Sequence, residues 1–359
     1  YTPGKCQNTY PAKLASLLYE RFKAFNGAAD KGLVLIPCEL IDKNGTNLKK
    51  CILNYAKDWN LPAEFTAWIN ESNLFVNTLV DRIVAGYPRA EAAKIEAELG
   101  YNDNLIDCGE IFHFFVIEGP QSLSKELPLI DAGLQVVITD NQTPYRTRKV
   151  RFLNGAHTTD VLAASLGGLP FVDEMMNDPD FGRMVCKAIN DEIFHTVQLP
   201  EEEKRFFADS VIERFKNPFA QHRLLSISLN SVSKWKVRVM PSLLDYVQMK
   251  GRLPEVLAFS LAALIRFYML ELKDGTAEGS VDGRTYPVAD SEDVLRFFAD
   301  ATAQFKADGN TAKLVASVLG NKEFWGMDLN TVPGLAEFAT AKLELINKDG
   351  IRSAVKTIL

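Results

Sequence analysis

The sequence predicts an α+β chain that is mostly helical, with mixed α and β structure up to about residue 147 and an all-helical region after it. In the first region, helical spacing of apolar residues alternates with short uninterrupted apolar runs. After Lys149, one helical period follows another with few alternating runs between them. The chain has 359 residues, of which 47% are hydrophobic, so it can bury a large core. We therefore expect two domains, residues 1–147 and 148–359.

The first region opens with an amphipathic helix and a buried strand. Residues 12–26 space their apolar side chains by three and four, and Asn26-Gly27 marks the end of the helix. The apolar run 32–36 then predicts a buried strand. Helix, short loop and strand together resemble the end of a doubly wound, Rossmann-type sheet. Further elements are expected as helices at 46–59, 63–71 and 89–99 and as strands at 74–80, 110–117 and 133–139.

The second region is predicted to be helical throughout. Its most apolar segment, 253–272, is interrupted by Arg266 and Glu271, so it is typical of a buried core helix rather than a membrane span. The glycine-rich stretch 274–286 predicts a linker with turns at Asp274-Gly275 and Asp282-Gly283. Helical periods are found at 149–166, 180–197, 200–216, 218–230, 241–250, 254–272, 289–307, 311–319, 332–346 and 349–357.

Composition and charge narrow the function. A net charge of −6 and a pI near 5.5 argue against nucleic acid as a partner, because phosphate binding needs a basic face. The five cysteines show no C-x-x-C spacing and the four histidines no H-x-x-x-H pairing, so we expect neither a disulfide framework nor a metal site. No secretory pattern opens the chain. We expect a cytoplasmic protein without a membrane span, and the sequence leaves its oligomeric state open.

The residues Lys149-Val-Arg-Phe-Leu-Asn154-Gly-Ala-His157 place an amine, an amide and an imidazole close together. In an α-helix, Asn154 would lie at roughly 140° and His157 at roughly 80° from Lys149, so all three can face one cavity. This trio suits oxidation of a secondary alcohol, or reduction of a ketone, by a nicotinamide. A desolvated lysine would accept the hydroxyl proton, while the other two side chains orient and polarise the oxygen.

Each of these residues also has a structural interpretation. A lysine at a helix start is usually solvated, Asn-Gly commonly forms a turn, and a single histidine is commonly a satisfied structural residue. Tyr145-x-x-x-Lys149 also fits the Tyr and Lys pair of short-chain dehydrogenases. Pro144, directly before that tyrosine, favours a turn there rather than the interior of a helix.

The motif Lys-x4-Asn-Gly-x-His resembles the signature of the polyol-specific long-chain dehydrogenase/reductase family, which includes mannitol dehydrogenases and hexuronate reductases. The resemblance covers almost the whole chain. The blocks Pro37-Cys-Glu-Leu-Ile-Asp-Lys-Asn44-Gly45 and Thr78-Leu-Val-Asp81-Arg-Ile-Val-Ala-Gly-Tyr-Pro-Arg89 are most similar to the tagaturonate reductase branch. Glu39 and Leu40 stand where mannitol dehydrogenases and fructuronate reductases tend to have Asp-Asn.

The resemblance implies a dinucleotide-binding domain, NAD as the cofactor, and a hexuronate and its aldonate, D-tagaturonate and D-altronate, as the substrate pair. It implies that Lys149 is the general acid/base and that Asn154 and His157 position the reacting oxygen. Asp81 and Asn44 would lie on the cofactor side. A strand-end ion pair with the next residue explains Asp81, and a β-turn explains Asn44, equally well.

A hexuronate carries a carboxylate, and basic side chains would bind it. The step Ser233-Lys234-Trp235 is similar to the Ser-Lys-aromatic step of the family, which makes Lys234 the first candidate. His222 and Arg223 are further candidates. A solvated basic face is the alternative interpretation of the same residues.

The chain contains neither G-x-G-x-x-G nor G-x-x-x-x-G-K-[ST]. Members of the family carry a glycine-rich turn near the start of the nucleotide-binding domain, and the resemblance begins late in that domain. We therefore expect the pyrophosphate-binding residues to lie upstream of this chain. The sequence predicts a NAD-dependent hexuronate oxidoreductase acting on a small-molecule substrate. The alternatives are a fructuronate reductase, a mannitol-type polyol dehydrogenase and, from another class, a non-catalytic helical interaction module.

Overall fold

The computed structural model describes residues 1–273 and 275–359. The chain forms two compact units. Unit 1 consists of Tyr1–Ile83 and Glu110–Arg146, and unit 2 consists of Val84–Gly109 and Thr147–Leu359. The sequence pattern gave no sign that residues 84–109 belong to unit 2. The predicted turn at Asp274-Gly275 includes a residue that lies outside the described part of the chain.

Helices and short strands alternate in the first part of the chain, and helices predominate after it. The α-helices are α1 (Tyr10–Ala24), α2 (Asn44–Asp58), α3 (Ala63–Ser72), α4 (Ala92–Leu99), α5 (Leu123–Glu126), α6 (Thr143–Lys149), α7 (Ala156–Leu166), α8 (Val172–Asn177), α9 (Phe181–Lys187), α10 (Phe194–Thr196), α11 (Glu201–Phe215), α12 (Leu224–Ile227), α13 (Ser231–Arg238), α14 (Met240–Lys250), α15 (Glu255–Phe267), α16 (Glu292–Asp308), α17 (Thr311–Leu319), α18 (Lys322–Trp325), α19 (Leu335–Asp349) and α20 (Ile351–Lys356). Among the described residues, two segments are π-helical, π1 (Val150–Gly155) and π2 (Ala188–Ile193). The strands are β1 (Val34–Leu35), β2 (Leu74–Phe75), β3 (Asn77–Asp81), β4 (Val84–Gly86), β5 (Cys108–Gly109), β6 (Phe114–Glu118), β7 (Val136–Thr139), β8 (Leu270–Lys273), β9 (Thr276–Val281) and β10 (Arg284–Pro287).

Unit 1 packs amphipathic helices against short strands. β1 pairs with β2 in parallel, and β6 lies between antiparallel β3 and parallel β7. The apolar faces of α1, α2 and α3 meet in one core that contains Leu18, Ile52 and Phe65. A second core packs Val76 and Ile117 of the strand region. The parallel pairs and covering helices agree with the α/β character predicted for this region.

The Asn44-Gly45 pair begins α2 and does not form an isolated turn. The helix passes so close to the strand region that a Cβ on Gly45 would lie 2.0 Å from the carbonyl oxygen of Val76. Only a residue without a side chain fits this approach. The glycine therefore sets the distance between α2 and the polypeptide that leads into β3.

Unit 2 is built around helices buried on all sides. Every residue of α7 except Ser165 is buried, and α15 is buried from Val256 through Ile265. α15 packs against both α7 and α19, so the prediction of a buried core helix is confirmed. Within residues 1–273 and 275–359, no helix is long and apolar enough to cross a bilayer. The predicted fold class, α+β and mostly helical, is confirmed.

Three segments of unit 2 differ from the sequence pattern. The helix expected at 218–230 is reduced to α12, because Arg223 pairs with Phe171 in a β-bridge and Gln221 has a φ of +40°. Residues 231–238, for which no helix was predicted, form α13. The described part of the glycine-rich stretch joins an antiparallel sheet, β8–β9–β10, with the predicted Asp282-Gly283 turn between its last two strands.

Asp178 connects the start of α9 to α20. Its Oδ1 accepts hydrogen bonds from the backbone N–H groups of Asp180 (3.0 Å) and Phe181 (3.1 Å). Arg352 donates two hydrogen bonds to the same carboxylate, from Nη1 to Oδ1 (2.9 Å) and from Nη2 to Oδ2 (2.7 Å). The bond to Arg352 is the main reason that the pKa of Asp178 is lowered to about 2.

We expect Gly45→Ala to destabilise unit 1. Alanine is favoured over glycine in a helix by about 1 kcal/mol, but overpacking costs about 1–3 kcal/mol, and here the obstacle is a backbone oxygen that cannot rotate away. Urea unfolding followed by circular dichroism measures the net change. Lys50→Ala, at an exposed position of the same helix, is the control. A stabilised Gly45→Ala variant would show that the close approach is not required.

Asp178→Asn should lower the stability of unit 2 at neutral pH, and the loss should shrink on acidification. The folded pKa of about 2 lies below the unfolded value, so the ionised group stabilises the fold above about pH 4 and loses this effect as the pH falls toward 2. Urea unfolding at pH 7 and at pH 3 measures the difference. The exposed Glu174→Gln in α8 is the control. An equal loss at both pH values would contradict an ionic contribution.

Candidate active site

The three residues of the Lys-x4-Asn-Gly-x-His motif lie on one unbroken helical path. Lys149 ends α6, Asn154 lies in π1 and His157 is the second residue of α7. A π-helix bonds each residue to the one five positions away, so Lys149 and Asn154 lie about one turn apart on the same side. The sequence predicted α-helical geometry here, which would have separated them by roughly 140°. The α-helical prediction was wrong for residues 150–155, and the wider turn aligns the two side chains more closely.

Gly155 explains how another helix reaches this segment. A Cβ at this position would lie 3.1 Å from the carbonyl oxygen of Arg238, the last residue of α13, and 3.3 Å from that of Val150. The missing side chain thus allows the end of α13 to pack against π1. The Asn154-Gly155 pair is therefore part of a helix and not a turn. The Asn154 carbonyl oxygen accepts a hydrogen bond from Thr158 Oγ1 (2.8 Å), which continues the path into α7.

His157 is held in a buried aromatic setting. It is only 7% exposed, its ring stacks on Phe215 (4.1 Å between centroids, 9° between planes), and it meets the His222 ring edge-on at 5.4 Å. Its Nε2 is buried without a hydrogen-bond partner among the described residues. Burial lowers the pKa of His157 well below its ordinary value, and the neighbouring positive charges add to this effect. The imidazole is therefore neutral at neutral pH, which suits it to contact a substrate oxygen.

Several basic groups act electrostatically on this imidazole. Besides His222, the charges that lower its pKa belong to Arg214, Arg238 and Lys234. Lys234 Nζ donates to the carbonyl oxygen of Ile227 (2.9 Å), and burial followed by repulsion from Arg238 lowers its pKa. Burial likewise lowers the pKa of His222, whose Nδ1 is buried without a partner among the described residues. The structure thus groups two of the predicted substrate-binding residues, Lys234 and His222, with His157.

Arg223 contacts a different residue, Phe171. Its side chain is exposed, and its guanidinium lies over the ring of Phe171 at 5.2 Å. Sequence reasoning did not select Arg214 or Arg238. A helical register for 231–238 would have revealed Arg238, because it follows Lys234 by four residues, whereas Arg214 lies too far along the chain for spacing to reveal it.

The two predicted cofactor-side residues lie in unit 1. The Asn44 amide donates to the carbonyl oxygen of Pro37 (2.9 Å) and to Thr78 Oγ1 (2.9 Å), and its oxygen accepts from the N–H groups of Gly45 (2.9 Å) and Thr78 (2.8 Å). The Asn44 side chain therefore connects the 37–39 loop to β3 through hydrogen bonds. Asp81 ends β3 and is only 1% exposed. A cofactor role for either residue stays a prediction.

Tyr145 does not lie in a turn, contrary to the prediction from Pro144. Both residues lie in α6, because proline is accommodated in the first turn of a helix, where its missing N–H has no partner to lose. The Tyr145 ring packs against Phe114 at 6.0 Å between centroids. In the described part of the chain, no group of three or more His, Cys, Asp or Glu side chains is placed to hold a metal ion.

Similarity to known proteins agrees with these observations. The mannitol dehydrogenase Rossmann domain matches residues 5–131, and the mannitol dehydrogenase C-terminal domain matches residues 141–347. Altronate oxidoreductase of Yersinia pestis is 48% identical over 349 residues, which are 97% of this chain and 70% of that protein. Altronate oxidoreductase of Escherichia coli is 47% identical over 351 residues, covering 98% of this chain and 71% of that protein.

Two solved structures share the fold at 22% sequence identity. One is mannitol 2-dehydrogenase of Pseudomonas fluorescens in a ternary complex with NAD and D-mannitol, with a TM-score of 0.71 over 98% of this chain. The other is D-sorbitol dehydrogenase in substrate-free form, with a TM-score of 0.74 over 97% of this chain. The chain spans 66% of the length of each. The two domain matches and the sequence identity confirm the resemblance inferred from the motifs, and the chain belongs to the mannitol dehydrogenase family.

Proposed function

We propose that this protein is a NAD-dependent oxidoreductase that interconverts D-tagaturonate and D-altronate. The observation that carries the proposal is the neutral, buried His157 on the same helical path as Lys149 and Asn154, with basic side chains around it. The Lys149, Asn154 and His157 trio suits proton transfer at a carbonyl or hydroxyl group. The basic side chains suit a substrate that carries a carboxylate. The similarity to altronate oxidoreductases supports the same substrate pair.

The proposed reaction divides the work between the cofactor and this chain. Bound NAD supplies the hydride acceptor, or NADH the donor. Lys149 takes the proton from the substrate hydroxyl during oxidation and returns it to the carbonyl oxygen during reduction. The Asn154 amide and His157 Nε2 hold that oxygen and stabilise the charge that develops on it. Keeping His157 neutral matters, because a charged imidazole would oppose a protonated Lys149 at the same substrate oxygen.

The residues of this chain account for only part of a NAD site. The match to the Rossmann domain supports a dinucleotide cofactor. The chain has no G-x-G-x-x-G turn to cradle a pyrophosphate, and the Asn44 amide is already bonded to protein atoms. We therefore assign no step to a residue of this chain acting on the cofactor. The proposed residues act on the substrate.

A neutral sugar alcohol is the competing substrate class, since one of the structural relatives is a complex with D-mannitol. Lys234 and Arg238 near His157 favour an anionic substrate instead, because neither forms an ion pair within the described residues and a carboxylate would compensate their charges. Initial rates with a panel of hexuronates, ketoses and their alcohols, measured with NADH or NAD on the full-length protein, test the proposal. We expect D-tagaturonate to have the highest kcat/KM. A higher value for a neutral ketose would overturn the hexuronate assignment.

Lys149→Ala should reduce kcat by at least about 10²-fold, because this is the lower end of the rate contribution expected from a positioned acid/base. Turnover followed by NADH absorbance measures the loss, and circular dichroism checks the fold. Lys348→Ala, at an exposed position of α19, is the control for loss of a lysine charge. Turnover close to that of the unaltered protein would remove Lys149 from the mechanism.

Lys234→Ala should raise the KM for D-tagaturonate roughly 10- to 150-fold, as expected for the loss of a charge-assisted contact of about 1.5–3 kcal/mol. The KM for a neutral ketose should change far less. Lys236→Ala is the matched control on the same helix, since the Lys236 side chain lies next to Gly326 instead. Equal changes for charged and neutral substrates would show that Lys234 does not bind a carboxylate.

A further inference from the structure

We propose that Arg238 is a specificity-determining residue that binds the substrate carboxylate together with Lys234. This inference rests on the proposed function, since it assigns the end of the site that receives the acid group. No motif in the sequence singles out Arg238. The structure assigns this role through the geometry of α13 and π1.

Arg238 and Lys234 lie on the same face of α13. They are four residues apart, and side chains with this spacing have Cβ atoms about 5–6 Å from each other. The backbone of Arg238 lies close to π1, because a Cβ on Gly155 would lie only 3.1 Å from the Arg238 carbonyl oxygen. Arg238 is therefore anchored beside the residue that follows Asn154 in π1. A long guanidinium side chain from this point can reach the substrate bound beside His157.

The two cations form no ion pair in the described part of the chain. Lys234 Nζ donates only to a backbone carbonyl, that of Ile227. The acidic group whose charge acts on Lys234 is Asp290. Asp290 forms no ion pair with Lys234 in the described part of the chain, and its carboxylate accepts hydrogen bonds from Tyr268 Oη (2.6 Å) and from the N–H of Ser291 (2.8 Å).

Burial makes this arrangement unfavourable without an anion. Both side chains are only partly exposed, and burial lowers the pKa of Arg238 as well as that of Lys234. The positive charges of Lys234 and Arg238 repel each other, and partial burial weakens the screening by solvent. A bound carboxylate would compensate both charges. An arginine is suited to this because its planar fork binds the two oxygens of a carboxylate together.

The neighbouring imidazoles indicate where the rest of the ligand lies. Nε2 of His157, in a side chain more than nine-tenths buried, and Nδ1 of His222 are both buried without partners among the described residues. Buried polar atoms of this kind are normally hydrogen-bonded, so a ligand with hydroxyl groups fits here. A polyhydroxy acid satisfies both parts of the site, with its carboxylate on Lys234 and Arg238 and its hydroxyl or carbonyl oxygens on the imidazoles.

The test compares Arg238→Gln and Arg238→Lys with the exposed control Arg183→Gln in the full-length protein. We expect Arg238→Gln to raise the KM for D-tagaturonate by about tenfold or more with little change in kcat, and to leave the KM for D-fructose nearly unchanged. Arg238→Lys should recover part of the affinity, because it restores the charge but not the fork. Calorimetric titration with D-altronate and with D-mannitol should show the same selectivity without turnover.

The outcomes separate this inference from the proposed function. If the unaltered protein prefers D-tagaturonate but Arg238→Gln has the same KM for it, the role of Arg238 is wrong and the function stands. Equal loss for D-tagaturonate and D-fructose would show that Arg238 only supports the fold, which also overturns the inference. If the unaltered protein prefers D-fructose, the proposed function itself fails, and no carboxylate subsite exists for Arg238 to serve.

Discussion

The close packing of α13 against π1 is the constraint on which the candidate site depends. Gly155 has no side chain, so the carbonyl oxygen of Arg238 can approach the π-helical backbone closely. A Cβ on Gly155 would lie only 3.1 Å from that oxygen. That approach places the basic face of α13 beside the segment that carries Asn154 and leads into His157. The widened turn of π1 then brings Lys149 and Asn154 to the same side. Gly155 thus lies where the end of α13 meets the segment that carries the proposed acid/base and orienting residues.

Electrostatics gives this region its chemical character. His157 is surrounded by positive groups and has lost nearly all contact with solvent, so its neutral form is strongly favoured. The stacking on Phe215 fixes the ring while leaving Nε2 without a partner among the described residues. A neutral imidazole among cations can contact a substrate oxygen while the cations hold an anionic group elsewhere on the same molecule. These features agree with the proposal of a sugar acid as the substrate.

Much of the architecture could be predicted from local pattern. Helical periodicity identified α1, α2, α14 and α17 to within a few residues, because each buries one amphipathic or apolar face. Prediction failed where tertiary contacts override local preference. The helix expected at 218–230 gives way to a β-bridge between Arg223 and Phe171, and the glycine-rich stretch beyond α15 is drawn into an antiparallel sheet. The bridge joins residues distant along the chain and leaves no periodic trace in either segment, whereas β8, β9 and β10 are consecutive strands whose glycines and turn residues obscure the strand pattern.

The sequence by itself determined the chemistry: the types and spacing of Lys149, Asn154 and His157, the basic residue at Lys234, and the family to which these motifs belong. Only the tertiary structure decided how those residues act together. The π-helical turn, the burial that keeps His157 neutral, the contact of Arg223 with Phe171, and the placement of Arg238 beside Gly155 all depend on tertiary packing. Packing between segments distant along the chain sets solvation and charge environment, and spacing along one segment carries no information about either.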